Sequence, residues 1–291
     1  MGKLRTFLLE KLPWIVTVLG IICWTYYCHV LVMDADLLTS KNGGVVVLGV
    51  VDVVCFTTIF VLTVSSYYQI LSTSPGYVPL PEDVEAGGGQ ASHAVGVMMQ
   101  AMSTGPGQDR KTFCTKCNVD RPDRAHHCKL CKRCVLKMDH HCPWVGNCVG
   151  LRNHKFFALF IWYTTVLALY NIVAISIWGA QRSAAEGSDS LWGNPSWQVV
   201  WANVIVSGIF ELSLFGFSWY HCWLLSHNMT TLESLNRDKS HSLGSIFNNL
   251  SFNLGHHPGL WCLPCWGIDD CLKTAPGGNY NPVSALASGT P

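Results

Sequence analysis

Charge is what this sequence has least of. Asp, Glu, Lys and Arg make up 13% of its 291 residues against 49% hydrophobic, about half of the ~25% charge carried by a soluble domain. An ordinary water-facing surface over most of the chain is thereby excluded. The formal net charge is only +1, so no overall basic field is available to hold a phosphate backbone, and nucleic acid is not expected as a partner. No cleavable secretory signal or internal repeat is evident, and the tail shows no recognisable ankyrin array or SH3-type segment, so recruitment of a partner is not inferred from an added domain. Cysteine, by contrast, is abundant and crowded. Seven of fourteen fall between Cys114 and Cys148, which reads as metal binding or catalysis rather than as a disulfide scaffold.

Long apolar runs are the other positive feature. A bilayer core of about 30 Å takes roughly twenty apolar residues in a helix, and four segments qualify. Trp14 to Met33 and Phe156 to Trp178 carry no Asp, Glu, Lys or Arg; Val45 to Leu71 is interrupted by Asp52, and Val199 to Leu225 by Glu211. An ionisable group at membrane depth is a functional-site candidate. Both also have structural readings, Asp52 near the lumenal boundary and Glu211 in a pair between helices. The connections Asp34 to Gly44 and Gly179 to Gln198 are short, polar or Gly/Pro-containing, and belong on one side.

Lys and Arg set the orientation. Lys3, Arg5 and Lys11 precede the first span, eleven more lie from Arg110 to Lys155, and Arg237, Lys239 and Lys273 follow the fourth, whereas only Lys41 and Arg182 lie opposite. Both termini and the cysteine-rich segment are expected in the cytosol, where thiols stay reduced. The organisation expected is a cytosolic N-terminus (1–13), two transmembrane helices (14–71), a Pro/Gly-rich flexible linker (72–109), a cysteine-rich domain (110–155), two further helices with a lumenal loop at 179–198 (156–225), and a cytosolic C-terminal region (226–291).

The cluster reads Cys114-x2-Cys117, then His127-Cys128-x2-Cys131-x2-Cys134, then Asp139-His140-His141-Cys142 and Cys148. Zinc takes tetrahedral sets of Cys and His, and ligands two residues apart on a tight turn chelate one ion. Cys114, Cys117, His127, Cys128, Cys131, Cys134, His141 and Cys148 make two Cys3His sets, with Cys142 left over. A spare cysteine beside His140 and Asp139 suggests a thiol activated by an imidazole that a carboxylate orients. Spacing alone leaves open the exchange in which Cys142 ligates and His141 is spare, and a purely structural zinc module.

The segment Cys114 to Phe157, with Asp-His-His-Cys at 139–142, Pro143-Trp144, Cys148, Asn153 and Phe157, resembles the cysteine-rich domain of the DHHC protein S-acyltransferases (palmitoyltransferases). The likeness extends to the four spans, to Thr230-Thr231-Leu232-Glu233 as the family's TTxE motif, and more weakly to Asn249. The resemblance implies an all-α membrane protein, four transmembrane helices with a small zinc-binding cytosolic domain between the second and third. It implies Cys142 as nucleophile, His140 as base and Asp139 as its orienting partner. One structural zinc would sit on Cys114, Cys117, His127 and Cys134, the other on Cys128, Cys131, His141 and Cys148. Thr230, Thr231 and Glu233 would support the site, and Asn249 would be structural. Where many members carry Asp-Pro-Gly after the second span, this chain has Ser74-Pro75-Gly76, so a role needing that carboxylate is not expected.

The activity implied is two-step transfer of a fatty acyl group, palmitoyl in the first instance, from acyl-CoA to cysteines of membrane-associated substrate proteins that face the cytosol. The apolar interior of the spans would take the chain. Lys129, Lys132, Arg133, Lys137, Arg152 and Lys155 surround the cluster as candidates for the CoA phosphates or for lipid headgroups. The setting implied is a multi-pass protein of an endomembrane such as Golgi, ER or vacuole. Competing classes are a non-enzymatic adaptor, which the intact Asp139-His140-His141-Cys142 argues against, and an ion transporter, which rests only on Asp52 and Glu211. Met1 to Thr6 fits the myristoylation pattern but adds little beside a span. Cys262 and Cys265 with His256, His257 and Cys271 are read as juxtamembrane or acylated cysteines before a further metal site. The sequons at Asn228 and Asn249 fall on the expected cytosolic side and should be unmodified.

Overall fold

A backbone in hydrocarbon must satisfy its own N–H and C=O groups, so the apolar runs are helical. The computed structural model describes residues 9, 11–80, 112–186, 195–255 and 257–264. The myristoylation pattern, most of the expected linker, residues 187–194 of the loop between the third and fourth spans, His256, Cys265 and Cys271 lie outside the described residues.

Four stretches are long and apolar enough to cross a membrane: Leu12–Leu38, Gly43–Ser72, His154–Ala185 and Trp197–Ser226. The first comprises α1 (Leu12–Tyr26), a π-helical stretch (Tyr27–Asp34) and α2 (Ala35–Leu38). Asp34 to Leu38, expected in the turn, are therefore helical. Ala35, Leu37 and Leu38 favour helix, and the break falls at Thr39, whose hydroxyl donates to the Asp36 carbonyl (3.0 Å). Asn42 starts α3 (Gly43–Ser72) by accepting the Gly44 N–H (2.9 Å). Inside α3 the hydroxyls of Thr58, Thr63, Ser66 and Ser72 donate to carbonyls four residues back at 2.7–2.9 Å, which hides polar groups in an apolar span. The third and fourth spans lie in α4 (His154–Glu186) and α5 (Pro195–Ser226), both longer than hydropathy alone suggested.

The chain divides into two compact units, Met1–Ser66 with Leu159–Tyr220, and Tyr67–Ala158 with His221–Pro291. In the first, Cys28, Met33, Ile175, Trp178, Trp197 and Val200 form an apolar core, with Trp178 and Trp197 stacked at 4.5 Å between ring centroids. Glu211, expected to pair between helices, has both carboxylate oxygens buried without a partner among the described residues.

The second unit holds three antiparallel hairpins: β1 (Thr112–Cys114) with β2 (Val119–Arg121), β3 (His126–Cys128) with β4 (Arg133–Val135), and β5 (His140–Cys142) with β6 (Asn147–Val149). Each turn contains a left-handed residue, Asn118 (φ 54°), Lys132 (φ 56°) and Gly146 (φ 58°), and such a residue lets a short chain reverse. Val78, Cys114, Ala125, Cys134, Leu136, Leu151 and Phe252 form one core around the first two hairpins, and Cys128, Val135, Met138 and Cys148 a second that joins β3 and β4 to β6. Gly150 is required here: a Cβ would come within 2.6 Å of Val135 Cγ1 and 2.7 Å of the Pro75 carbonyl. At Ser74 the hydroxyl accepts the Gly76 N–H (3.3 Å), the bond a carboxylate could make at that position. Two short helices, α6 (Thr231–Leu235) and α7 (Ile246–Leu254), complete the unit.

Candidate active site

Strand geometry divides the four central residues. Successive side chains point to opposite faces of a strand, so in β5 His141 faces one way while His140 and Cys142 face the other. His141 sits opposite Cys148 in the β5–β6 register. Its Nδ1 lies 3.7, 3.4 and 3.5 Å from the sulfurs of Cys128, Cys131 and Cys148. Tetrahedral zinc with bonds of about 2.0 Å to nitrogen and 2.3 Å to sulfur separates those donors by about 3.5 Å. In the other set, His127 Nδ1 lies 3.7, 3.2 and 3.9 Å from the sulfurs of Cys114, Cys117 and Cys134. Both groups gather four donors within 4.8 Å of one another, and soft thiolates with an imidazole are the donors that zinc selects. These are the same two sets that the resemblance implies.

On the opposite face of β5, His140 Nδ1 is 2.6 Å from Asp139 Oδ2. Asp139 is fully buried and accepts two more hydrogen bonds, from the Thr231 N–H at Oδ1 (2.7 Å) and from the Thr231 hydroxyl at Oδ2 (3.0 Å). Burial alone would raise its pKa, but the His140 hydrogen bond and the neighbouring imidazoles outweigh it and hold the carboxyl well below the usual range. For His140, burial acts to lower the pKa, and hydrogen bonds to Asp139 and Cys142 raise it to about 9. Cys142 is buried at the end of β5, before the turn Pro143–Val145. The Tyr67 hydroxyl anchors that turn by donating to the Trp144 carbonyl (2.9 Å). His140 meets Phe157 edge to face at 5.1 Å between centroids.

The Thr-Thr-x-Glu segment has a division of labour. Thr230 caps α6: its hydroxyl accepts the Glu233 N–H (3.2 Å) and its own N–H donates to Glu233 Oε2 (2.8 Å), a reciprocal capping box. Thr231 orients Asp139. Glu233 receives the Arg124 guanidinium in a fork, Nε to Oε1 at 2.7 Å and Nη2 to Oε2 at 2.8 Å, with both side chains buried. Asn249 accepts the Leu243 N–H (2.8 Å) and donates to the Ser226 carbonyl (2.8 Å); it ties a loop.

Several residues here were missed by sequence reasoning. Arg124 is one. His154 and His221 are others: Asp139, His154 and His221 offer donor atoms within 4.8 Å of one another, and Lys137 Nζ lies 3.2 Å from His154 Nδ1 and hydrogen-bonds Asn253 Oδ1. Burial lowers the Lys137 pKa to about 7. That position corrects one expectation, because Lys137 and Lys155 are buried, with Lys155 donating to the Leu260 carbonyl (3.0 Å). Neither ammonium is presented to a CoA phosphate; Lys129 and Lys132 remain exposed.

Removing one partner of a buried charge pair strands the other. Glu233→Ala should therefore destabilise the protein by about 3–5 kcal/mol, read as a fall in melting temperature. A change no larger than that of an exposed substitution such as Lys239→Ala would show that the pair is not holding α6 in place.

Apolar spans interrupted in sequence by two metal-binding clusters define a multi-pass membrane protein with a cysteine-rich zinc module. Comparison with known proteins narrows that class. A family model described as DHHC palmitoyltransferase matches residues 107–238. Probable protein S-acyltransferase 13 of Arabidopsis thaliana is 33% identical over 272 residues, spanning 89% of this chain and 86% of that protein. Palmitoyltransferase ZDHHC15 of Xenopus laevis is 31% identical over 266 residues, spanning 84% and 75%. Palmitoyltransferase pfa3 of Emericella nidulans is 38% identical over 183 residues, spanning 60% and 34%. The chain belongs to the DHHC palmitoyltransferase family.

Proposed function

We propose that this protein S-acyltransferase forms its acyl-enzyme on Cys142, with His140 moving the proton and Asp139 orienting His140. The observation that carries the reading is the 2.6 Å bond from His140 Nδ1 to a buried Asp139 on the strand face that His141 does not share. Committing Nδ1–H to the carboxylate leaves Nε2 as the nitrogen that serves Cys142. The thiolate attacks the carbonyl carbon of a fatty acyl-CoA, palmitoyl-CoA in the first instance. The C–S bond to CoA breaks, and CoA leaves as its thiol with the proton His140 took from Cys142. In the second half a substrate cysteine loses its proton to His140 and attacks the new thioester, and Cys142 departs as the thiol. One thioester replaces another at each step, so the reaction is near thermoneutral, and the protein contributes position and proton transfer.

When bound, zinc supplies structural cross-links: Cys114, Cys117, His127 and Cys134 would hold one ion, and Cys128, Cys131, His141 and Cys148 the other. The second ion would hold the middle of β5, at His141, to β6 at Cys148 and to the β3–β4 hairpin, and so would help to keep Cys142 in place. Thr231 keeps Asp139 in line, and Glu233 with Thr230 holds the helix that carries Thr231. The substrates are membrane-associated proteins with cytosolic cysteines. To test the base assignment, acylation is timed in His140→Ala, which should retain zinc and slow the step by roughly 10² to 10⁴; a wild-type rate would remove His140 from the mechanism.

The Lys and Arg distribution supports a multi-pass endomembrane protein with both termini and the zinc module in the cytosol. An accessible tag placed within 94–107 should react with a membrane-impermeant reagent from the cytosolic side, and one within 183–190 from the lumenal side only. Reaction of both tags from one side would reverse that topology.

A further inference from the structure

The first unit buries a second group of His and Asp side chains, with no part in acyl transfer as described above. We propose that His29, Asp34 and Asp52 form a binding site for a divalent first-row metal ion, zinc in the first instance, inside the membrane helices.

Three observations carry it. First, the three residues offer donor atoms within 4.8 Å of one another, and His29 and Asp34 are fully buried. On an α-helix residues five apart point about 140° from each other at ~100° per residue. His29 and Asp34 lie instead in the π-helical stretch Tyr27–Asp34, whose i→i+5 winding turns them toward the same side, and such stretches recur at functional sites.

Second, the hydrogen-bond directions around His29 can be followed from one hydroxyl. Thr25 donates its single proton to the Ile21 carbonyl (3.0 Å) and so accepts from Asn203 Nδ2 (3.3 Å). Asn203 Oδ1 then accepts from Asn171 Nδ2 (2.9 Å), and Asn171 Oδ1 is left facing His29 Nδ1 at 3.2 Å. Nδ1 therefore carries the proton. With Nδ1 protonated, Nε2 at 2.9 Å from Asp52 Oδ2 either carries a second proton, as in an imidazolium–carboxylate pair, or faces the carboxylate lone pair to lone pair with room for a cation between them. A metal ion between them would satisfy both: bonds of about 2.0–2.1 Å at the tetrahedral angle zinc prefers separate their donors by about 3.3 Å, so the ion would open this contact by a few tenths of an ångström. The remaining Asp52 oxygen accepts from the Tyr170 hydroxyl. A histidine held through its other nitrogen by a carbonyl, and a carboxylate held by a hydroxyl, are the supports that ligands of a metal site carry.

Third, both oxygens of Asp34 are buried with no N–H or neutral O–H donor among the described residues, and the group beside them is the Asp52 carboxyl. An unpartnered carboxyl in an apolar setting is costly, and the nearby donors, His29 and Asp52, are those a cation would share with it. Two carboxylates and a neutral imidazole match a divalent charge, and N/O donors suit zinc more than calcium or magnesium.

The test counts zinc. Full-length protein in detergent is equilibrated with Zn²⁺, freed of excess, and bound zinc per chain is measured by mass spectrometry beside Asp34→Asn and His29→Gln. Each variant should hold one zinc fewer than the wild type, a difference that does not depend on how full the cysteine sites are. Melting adds a readout of opposite sign: in chelator Asp34→Asn, which removes a buried carboxyl but keeps its shape, should melt above the wild type, and added Zn²⁺ should raise the wild type by more than either variant, in which only the cysteine sites respond. Equal zinc in all three proteins, with the same Zn²⁺-dependent rise in each, would overturn the site and leave a proton shared within an imidazolium–carboxylate cluster.

Discussion

Cys142→Ser should form no acyl-enzyme at all while keeping both zinc ions and a near-native melting temperature. The hydroxyl fills the same space but is a far weaker nucleophile, and Cys142 points away from the donors gathered by His141. His141→Ala should fail in the opposite order. Its imidazole lies within 3.7 Å of three sulfurs, so zinc and stability go first and acylation follows. Measuring zinc content, melting and thioester formation on the two variants separates chemistry from support within adjacent residues. If Cys142→Ser releases zinc while His141→Ala retains it, the two roles are exchanged and the catalytic assignment is wrong.

Stripping the clusters should have the largest effect on folding. A structural zinc contributes about 10–16 kcal/mol of apparent binding energy in small zinc-dependent folds, comparable with or larger than the whole stability of a typical domain. Each hairpin here has only three residues per strand, too little pairing to stand alone. Cys114→Ala and Cys131→Ala should each lose an ion and unfold the hairpins they join, seen as protease cleavage within 112–150 and loss of acylation. Active wild-type protein carrying one zinc or none would contradict the two-site reading.

What can be read from the chain follows from how local each signal is. The four spans are legible because an apolar run of about twenty residues is rare outside a membrane-crossing helix. Their ends are not: α4 continues through Gln181 and Arg182 to Glu186, since a helix need not stop where the hydrocarbon does. The eight donors can be counted from spacing, but the choice between His141 and Cys142 depends on strand alternation, and a three-residue strand leaves no periodicity to find. Arg124 and Glu233 are 109 positions apart, and a pair that distant has no signature in a single sequence. His29, His154 and His221 escape a count of Asp, Glu, Lys and Arg. Imidazole is cheap enough to hide in an apolar run when neutral, and the same property suits it to buried sites. Lys137 and Lys155 look like surface cations from their position in a basic stretch, whereas their hydrogen bonds are to Asn253 and the Leu260 carbonyl, residues more than a hundred positions later.

The central claim is that the fatty chain passes through Cys142. Purified full-length protein is incubated with labelled palmitoyl-CoA without a protein substrate, and the covalent adduct is mapped by peptide mass spectrometry before and after neutral hydroxylamine. The account predicts one dominant adduct, on Cys142, removed by hydroxylamine and discharged when a substrate cysteine is added. A hydroxylamine-sensitive adduct confined to another cysteine, such as Cys222 or Cys262, or a Cys142 adduct that substrate cannot discharge, would contradict it.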